Sequence, residues 1–173
     1  MNMQRRSFVG GLGGLAILAA CTPVPQVQLG ADGKPLPQIY PITAANQNAI
    51  PFRLLDSVNS LRAAAGVQPL QLNAQLNAAA ATHSRDMSLQ NRPWHFGSDA
   101  SSPLVRVQRT GYPGALVGEL ISETFETELE TLSAWMNQPD TRDIILAPDA
   151  RNLGFSWFQE PNGKIWWTYV AGA

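Results

Sequence analysis

Residues 153–170 read LGFSWFQEPNGKIWWTYV, and this stretch decides the class of the fold. Leu153, Phe155 and Trp157 alternate with Gly154, Ser156 and Phe158; Ile165, Trp167 and Tyr169 alternate with Trp166, Thr168 and Val170. A period of two is the mark of strands, whose successive side chains point to opposite faces. Pro161-Asn162-Gly163 supplies a turn between the runs, so the segment predicts a β-hairpin. Alternation places most of Trp157, Trp166 and Trp167 in a core, with room for one to line a groove.

Upstream of the hairpin the period becomes helical. From Phe52 onward Leu54, Leu55, Val58, Leu61 and Ala65 share one face, and Gly66 stops the helix. Asn73 predicts the N-cap of a second helix carrying Leu76, Ala79, Ala80, His83 and Met87 on one face and ending before Pro93. His83 therefore reads as a core histidine satisfied by a hydrogen bond. Ser102–Thr110 reads as a short third helix closed by Gly111, and Ala115–Ser122 as a short strand. Thr124 is the expected cap of a further helix. Glu126, Glu128 and Glu130 suit the positive end of its dipole, Leu129, Leu132, Trp135 and Met136 form its stripe, and Pro139 ends it. Helices first and an aromatic hairpin last predict an α+β layered domain.

The 173 residues suffice for one domain with a substantial core, and 45% hydrophobic content is too high for a disordered chain. A net charge of −1 gives no reason to expect a nucleic-acid partner. A single cysteine, Cys21, excludes a disulfide framework and any zinc site of several thiolates.

That cysteine has another use. Arg5-Arg6 precedes an apolar run the length of a signal-peptide core, too short to span a bilayer. Arg5-Arg6 with Phe8 resembles a bacterial twin-arginine export signal, and Leu18-Ala19-Ala20-Cys21 resembles a lipobox. The reading is a signal peptide over residues 1–20 and a lipidated Cys21 opening a proline-rich tether over 21–51. Residues 52–173 then form the domain. Around Leu36 to Ile42 the tether has the option of packing on the domain surface. A lipid, rather than a basic patch, would hold the protein at the membrane of the cell envelope, with the domain facing the periplasm or the exterior.

A set of motifs runs in order along the domain. It comprises Asn59-Ser60-Leu61-Arg62 with Pro69-Leu70, then Ala79–Met87, His95-Phe96-Gly97-Ser98-Asp99, and Arg106 with Gly111-Tyr112. Gly118-Glu119, Ala134-Trp135-Met136, Arg142 before Ile144-Ile145-Leu146, Leu153-Gly154-Phe155 and Trp167-Thr168-Tyr169 follow. In this order the chain resembles the CAP superfamily (cysteine-rich secretory proteins, antigen 5 and pathogenesis-related 1) in its bacterial SCP-domain form. The resemblance covers roughly Phe52 to Ala173 and implies an α–β–α sandwich around a small antiparallel sheet.

The resemblance also implies a central cleft with two histidines and two acidic residues, which in some members binds a divalent metal. His95 matches the first histidine and Glu119 the acid of the Gly-Glu motif. Thr141 stands where the second histidine is usual, Gln138 where the other acid is usual, and Leu120 where an asparagine follows Gly-Glu. Glu119 lies among Leu116, Val117, Leu120 and Ile121, so its carboxylate needs a partner, and His95 would serve. A divalent metal on His95 and Glu119 lacks the three protein ligands of a catalytic zinc site, and no spacing demands Asp99 or Asp140 as the third.

Three readings follow. The first is a ligand-binding cleft without turnover, for a lipid, a cell-wall fragment or a protein. The second is a hydrolase, a metal-assisted peptidase or esterase in which His95 and Glu119 move protons. The third is a membrane-tethered scaffold with a relic cleft.

Overall fold

The aromatic hairpin forms as its alternation requires. In the computed structural model, which describes residues 39–173, β3 (Asn152–Gln159) and β4 (Ile165–Gly172) pair antiparallel, with Phe155 opposite Tyr169 and Trp157 opposite Trp167. Phe155 stacks on Trp167 with ring centroids 5.3 Å apart. The expected signal peptide, Cys21 and the first part of the tether lie outside the described residues. Among the described residues no helix is long and apolar enough to cross a membrane.

Two further strands complete the sheet in the order β1-β3-β4-β2. β2 (Leu116–Thr124) runs antiparallel to β4 along the edge. β1 (Gln71–Leu72) pairs in parallel with β3, so the sheet is mixed where a purely antiparallel one was expected. A two-residue strand carries no period of its own; its partner, Asn152–Leu153, defines it.

Both faces of the sheet are covered, which gives the α–β–α layering. Ile165, Trp167, Tyr169 and Ala171 of β4 join the larger core with α1 (Ile50–Ala64), α4 (Glu128–Met136) and α5 (Pro139–Ile145). Val170, on the opposite face, packs with Leu76, Ala79 and Ala80 of α2 (Ala74–Gln90) and Val107 of α3 (Pro103–Arg109). Beside it the Thr168 hydroxyl accepts from Ser84 of α2 at 2.9 Å. Helix α2 lies directly on β3: a Cβ at Gly154 would collide with the Leu76 carbonyl group, so only glycine fits there. The Asn73 side chain caps α2 as expected, accepting from the Leu76 amide at 3.0 Å.

Several local expectations need correction. Helix α1 begins at Ile50, two residues before Phe52. The cap of α4 is Thr127, not Thr124, in a reciprocal capping box with Glu130. Leu129 is 40% exposed because it lines an open groove of about 420 Å³ between α1 and α4, while Glu128 and Thr131 take the buried positions. Helix α5 was not anticipated; buried Arg62 of α1 holds its end, donating to the carbonyls of Ile145 at 2.7 Å and Ala147 at 3.1 Å. The last part of the stretch read as tether packs on the domain. The Tyr40 amide donates to the Phe125 carbonyl at 3.0 Å, and the Gln159 side chain brackets the Tyr40 carbonyl and the Ile42 amide.

Candidate functional site

Glu119 lies opposite Val170 in the β2–β4 register, and antiparallel partners share a face, so its side chain turns toward α2 and α3. Its neighbour faces the other way: a Cβ at Gly118 would meet Ile144 of α5 at 2.7 Å. This alternation places Glu119 beneath the segment joining α2 to α3, which carries His95.

Three cationic or ionisable side chains converge on the Glu119 carboxylate. Arg106 Nη2 donates to Oε1 at 2.9 Å and to Oε2 at 2.8 Å. His95 Nδ1 lies 3.0 Å from Oε1. His83 Nε2 is 3.6 Å from the same oxygen and 2.9 Å from the Trp94 carbonyl, which accepts its proton. The His83 ring is fully buried with Nδ1 unpartnered, and burial pushes its pKa below the ordinary imidazole value. The expectation of a buried, hydrogen-bonded His83 agrees with this placement.

The loop that presents His95 is clamped at several points. Arg106 Nη2 also donates to the His95 carbonyl at 3.0 Å, and Nη1 to the Ser101 carbonyl at 2.8 Å. Asp86 of α2 accepts from the Ser98 amide at 2.6 Å and the Ser98 hydroxyl at 2.7 Å. A Cβ at Gly97 would meet Ser101 Oγ at 2.5 Å, so the loop packs closely at this point. Ser102 caps α3 and Pro103 opens it, aiming Arg106 inward.

His95 and Glu119 are thus in contact, whereas Thr141 and Gln138 belong to the other helical layer. The Thr141 hydroxyl donates to the carbonyls of Trp135 and Gln138, stapling α4 to α5, and Gln138 is the N-cap of α5. Among the described residues no hydrogen bond joins either to His95 or Glu119. Arg106 is the member of the cluster to which the sequence reading assigned no role. The signal available was an arginine between Val105 and Val107 on a short helix.

What this arrangement can do follows from what remains free. A carboxylate offers roughly four acceptor positions; those of Glu119 already serve Arg106 twice and His95 once, and the residue is 7% exposed. A general acid or base must reach its reactant, and Glu119 is turned inward. The His95 side chain is half exposed, and its Nε2 makes no hydrogen bond among the described residues. A divalent metal fits this donor set poorly. Arg106 holds both oxygens of Glu119, and among the described residues no three His, Cys, Asp or Glu side chains gather to hold an ion. Beside the cluster, and sharing Arg106 with it, runs a groove of about 620 Å³ between α2 and α3, lined also by Arg85, Asp86, Leu89, Ser98 and Arg109.

The chain belongs to the cysteine-rich secretory protein (CAP) family, whose model matches residues 55–171. The Bacillus subtilis (strain 168) protein YkwD is 29% identical over 114 residues, which is 66% of this chain and 44% of that protein; the match spans less than half the relative's length. Two solved structures share the fold. An outer surface protein of Borrelia burgdorferi superposes with a TM-score of 0.65 at 14% identity, covering 78% of this chain and 98% of its own. An extracellular protein of Bacillus anthracis containing an SCP domain superposes with a TM-score of 0.64 at 20% identity, covering 76% of this chain and 44% of its own.

Proposed function

We propose that this chain is an exported bacterial envelope lipoprotein whose CAP domain binds a ligand in the groove beside His95 and does not turn it over. The observation that carries this reading is the Arg106 clasp on Glu119, which commits the acid to holding the loop and leaves the outer edge of His95 as the presented group. The groove is of the size of small-ligand sites, on the order of 300–1,000 Å³, and offers charged and hydroxyl side chains in fixed positions. Export is supported by the Arg5-Arg6 and Leu18–Cys21 motifs and by relatives that are outer surface and extracellular proteins. A lipid on Cys21 would be the anchor, and mass spectrometry of the mature N-terminus tests it directly.

Among the ligand classes, a cell-wall fragment suits the charged and hydroxyl groups set in the groove wall best. The test is co-sedimentation of the purified chain with peptidoglycan sacculi, with the supernatant analysed for released fragments. Saturable binding that weakens in His95→Ala and releases nothing supports the reading. Binding unchanged in the His95→Ala, Glu119→Ala double variant contradicts the site. Release of fragments that depends on His95 replaces it with the hydrolase reading, which the His95–Glu119 hydrogen bond favours because it leaves Nε2 facing outward.

A further inference from the structure

The end of α2 and the turn after it expose apolar side chains that the core does not use. Leu89 is 74% exposed and Phe96 48% exposed, although both lie on backbone held by hydrogen bonds. Trp94 stands between them in sequence, its ring centroid 5.7 Å from that of Phe96. Gln90 ties the group together: its Oε1 accepts from the Trp94 indole at 2.9 Å and its Nε2 donates to the Phe96 carbonyl at 3.2 Å. The indole is therefore held in one orientation with its nitrogen satisfied.

Two arginines flank this apolar group. The Arg92 guanidinium lies 3.7 Å from the Trp94 ring centroid, and that of Arg85, one turn before Leu89, lies 5.3 Å from the Phe158 ring. Among the described residues neither forms a salt bridge. Of the nearby acids, Asp99 pairs with Arg109, and Asp86 accepts only from the neutral donors Ser98 and Gln90, so Arg85 and Arg92 outnumber the single acid that has no cation of its own. A chain of net charge −1 thus carries a local cationic excess around exposed Leu89 and Phe96 and half-buried Trp94.

We infer that Arg85, Leu89, Arg92, Trp94 and Phe96 form a face that docks on a bilayer bearing anionic phospholipid head groups. Leu89 and Phe96 enter the boundary between head groups and acyl chains, Trp94 sits at head-group level, and the arginines meet the phosphates. The charge selects the occupant, because arginines left without acids complement an anionic surface and gain nothing at a zwitterionic one. Since Arg85 and Leu89 also line the groove, docking would open the groove toward the membrane. This contact is separate from the lipid proposed on Cys21, and it shares Arg85 and Leu89 with the proposed groove.

The experiment uses the full chain carrying Cys21→Ser, so that no acyl anchor contributes, and measures flotation with phosphatidylglycerol–phosphatidylcholine vesicles and with phosphatidylcholine vesicles. The expected result is binding to the anionic vesicles that falls about tenfold or more in Arg85→Gln, Arg92→Gln and in Leu89→Glu, Phe96→Ser. Tryptophan emission should shift to the blue on binding, and Trp94→Phe should remove the shift. Arg85, Leu89, Arg92 and Phe96 are exposed, so far-UV circular dichroism and the urea midpoint of their variants should match the parent. Equal binding to both vesicle types, or anionic binding unchanged in the two double variants, overturns the inference. Sacculus binding of Arg92→Gln and of Phe96→Ser, neither of which lines the groove, keeps the outcomes apart, because these substitutions alter the docking face and leave His95-dependent binding in place.

Discussion

Replacing Arg106 with alanine is the sharpest perturbation of the cluster. The residue is only 4% exposed, and its guanidinium serves four acceptors: both Glu119 oxygens and the carbonyls of His95 and Ser101. Its removal leaves a buried carboxylate facing His83 and one hydrogen bond from His95. Breaking a buried pair by deleting one partner costs about 3–5 kcal/mol. For a domain of this size, each kcal/mol lowers the midpoint of thermal unfolding by about 3–5 °C, giving a fall of roughly 10–25 °C. Removing both charges with Arg106→Met, Glu119→Leu takes away the uncompensated carboxylate, and such replacements are often near neutral, so this variant should lie within about 2 kcal/mol of the parent. Urea unfolding followed by tryptophan fluorescence reads both. A single variant costing under about 1 kcal/mol, or a double variant as unstable as the single, would refute the claim that the charge pair is what Arg106 supplies.

Two further predictions concern the layers around the site. Burial pushes the His83 pKa down, so the folded state holds the neutral ring while the unfolded chain takes a proton near pH 6.5. The stability from His83 is complete above that pH and is lost as pH falls toward the folded value. His83→Gln keeps a donor for the Trp94 carbonyl but does not titrate, so its urea midpoint should fall less between about pH 7 and 5 than the parent's; an equal fall would count against it. Gly154→Ala would drive a methyl group into the Leu76 backbone, and backbone there cannot yield as a side-chain end would. It should cost more than about 3 kcal/mol in the same assay, and a variant of parental stability would show that α2 does not lie as close to β3 as described.

The parts of the fold that were legible in the sequence are those whose pattern is local. The β3–β4 hairpin announced itself by alternation, and α2 by Asn73 and a stripe at helical spacing. The parts missed depend on partners distant in sequence. β1 exists because Asn152 and Leu153 are there to pair with it, and α5 is held by Arg62 from a helix far back in the chain. Leu129 fitted the stripe of α4, yet periodicity does not tell whether a neighbouring helix closes over a position, and here α1 leaves a groove.

The site divides in the same way. The need of Glu119 for a partner could be read from its apolar surroundings, and the resemblance supplied His95. Which of Arg85, Arg92, Arg106 and Arg109 turns inward could not be read. Nothing in their spacing singles one out, and only the capping of α3 by Ser102 and the packing of Val107 orient Arg106 toward the acid. Gln138 and Thr141 lie at positions that the resemblance marked, and their observed contacts are with the α4–α5 junction.

The hydrogen bond on which the site rests can be observed in solution through the two ring nitrogens of His95. Long-range proton–nitrogen correlation spectra of the neutral ring report which nitrogen carries the proton. A proton on Nδ1 of His95, moving to Nε2 in Glu119→Leu, is the predicted result. A proton on Nε2 in the parent chain, unchanged by that substitution, would mean that the buried acid does not hold the imidazole.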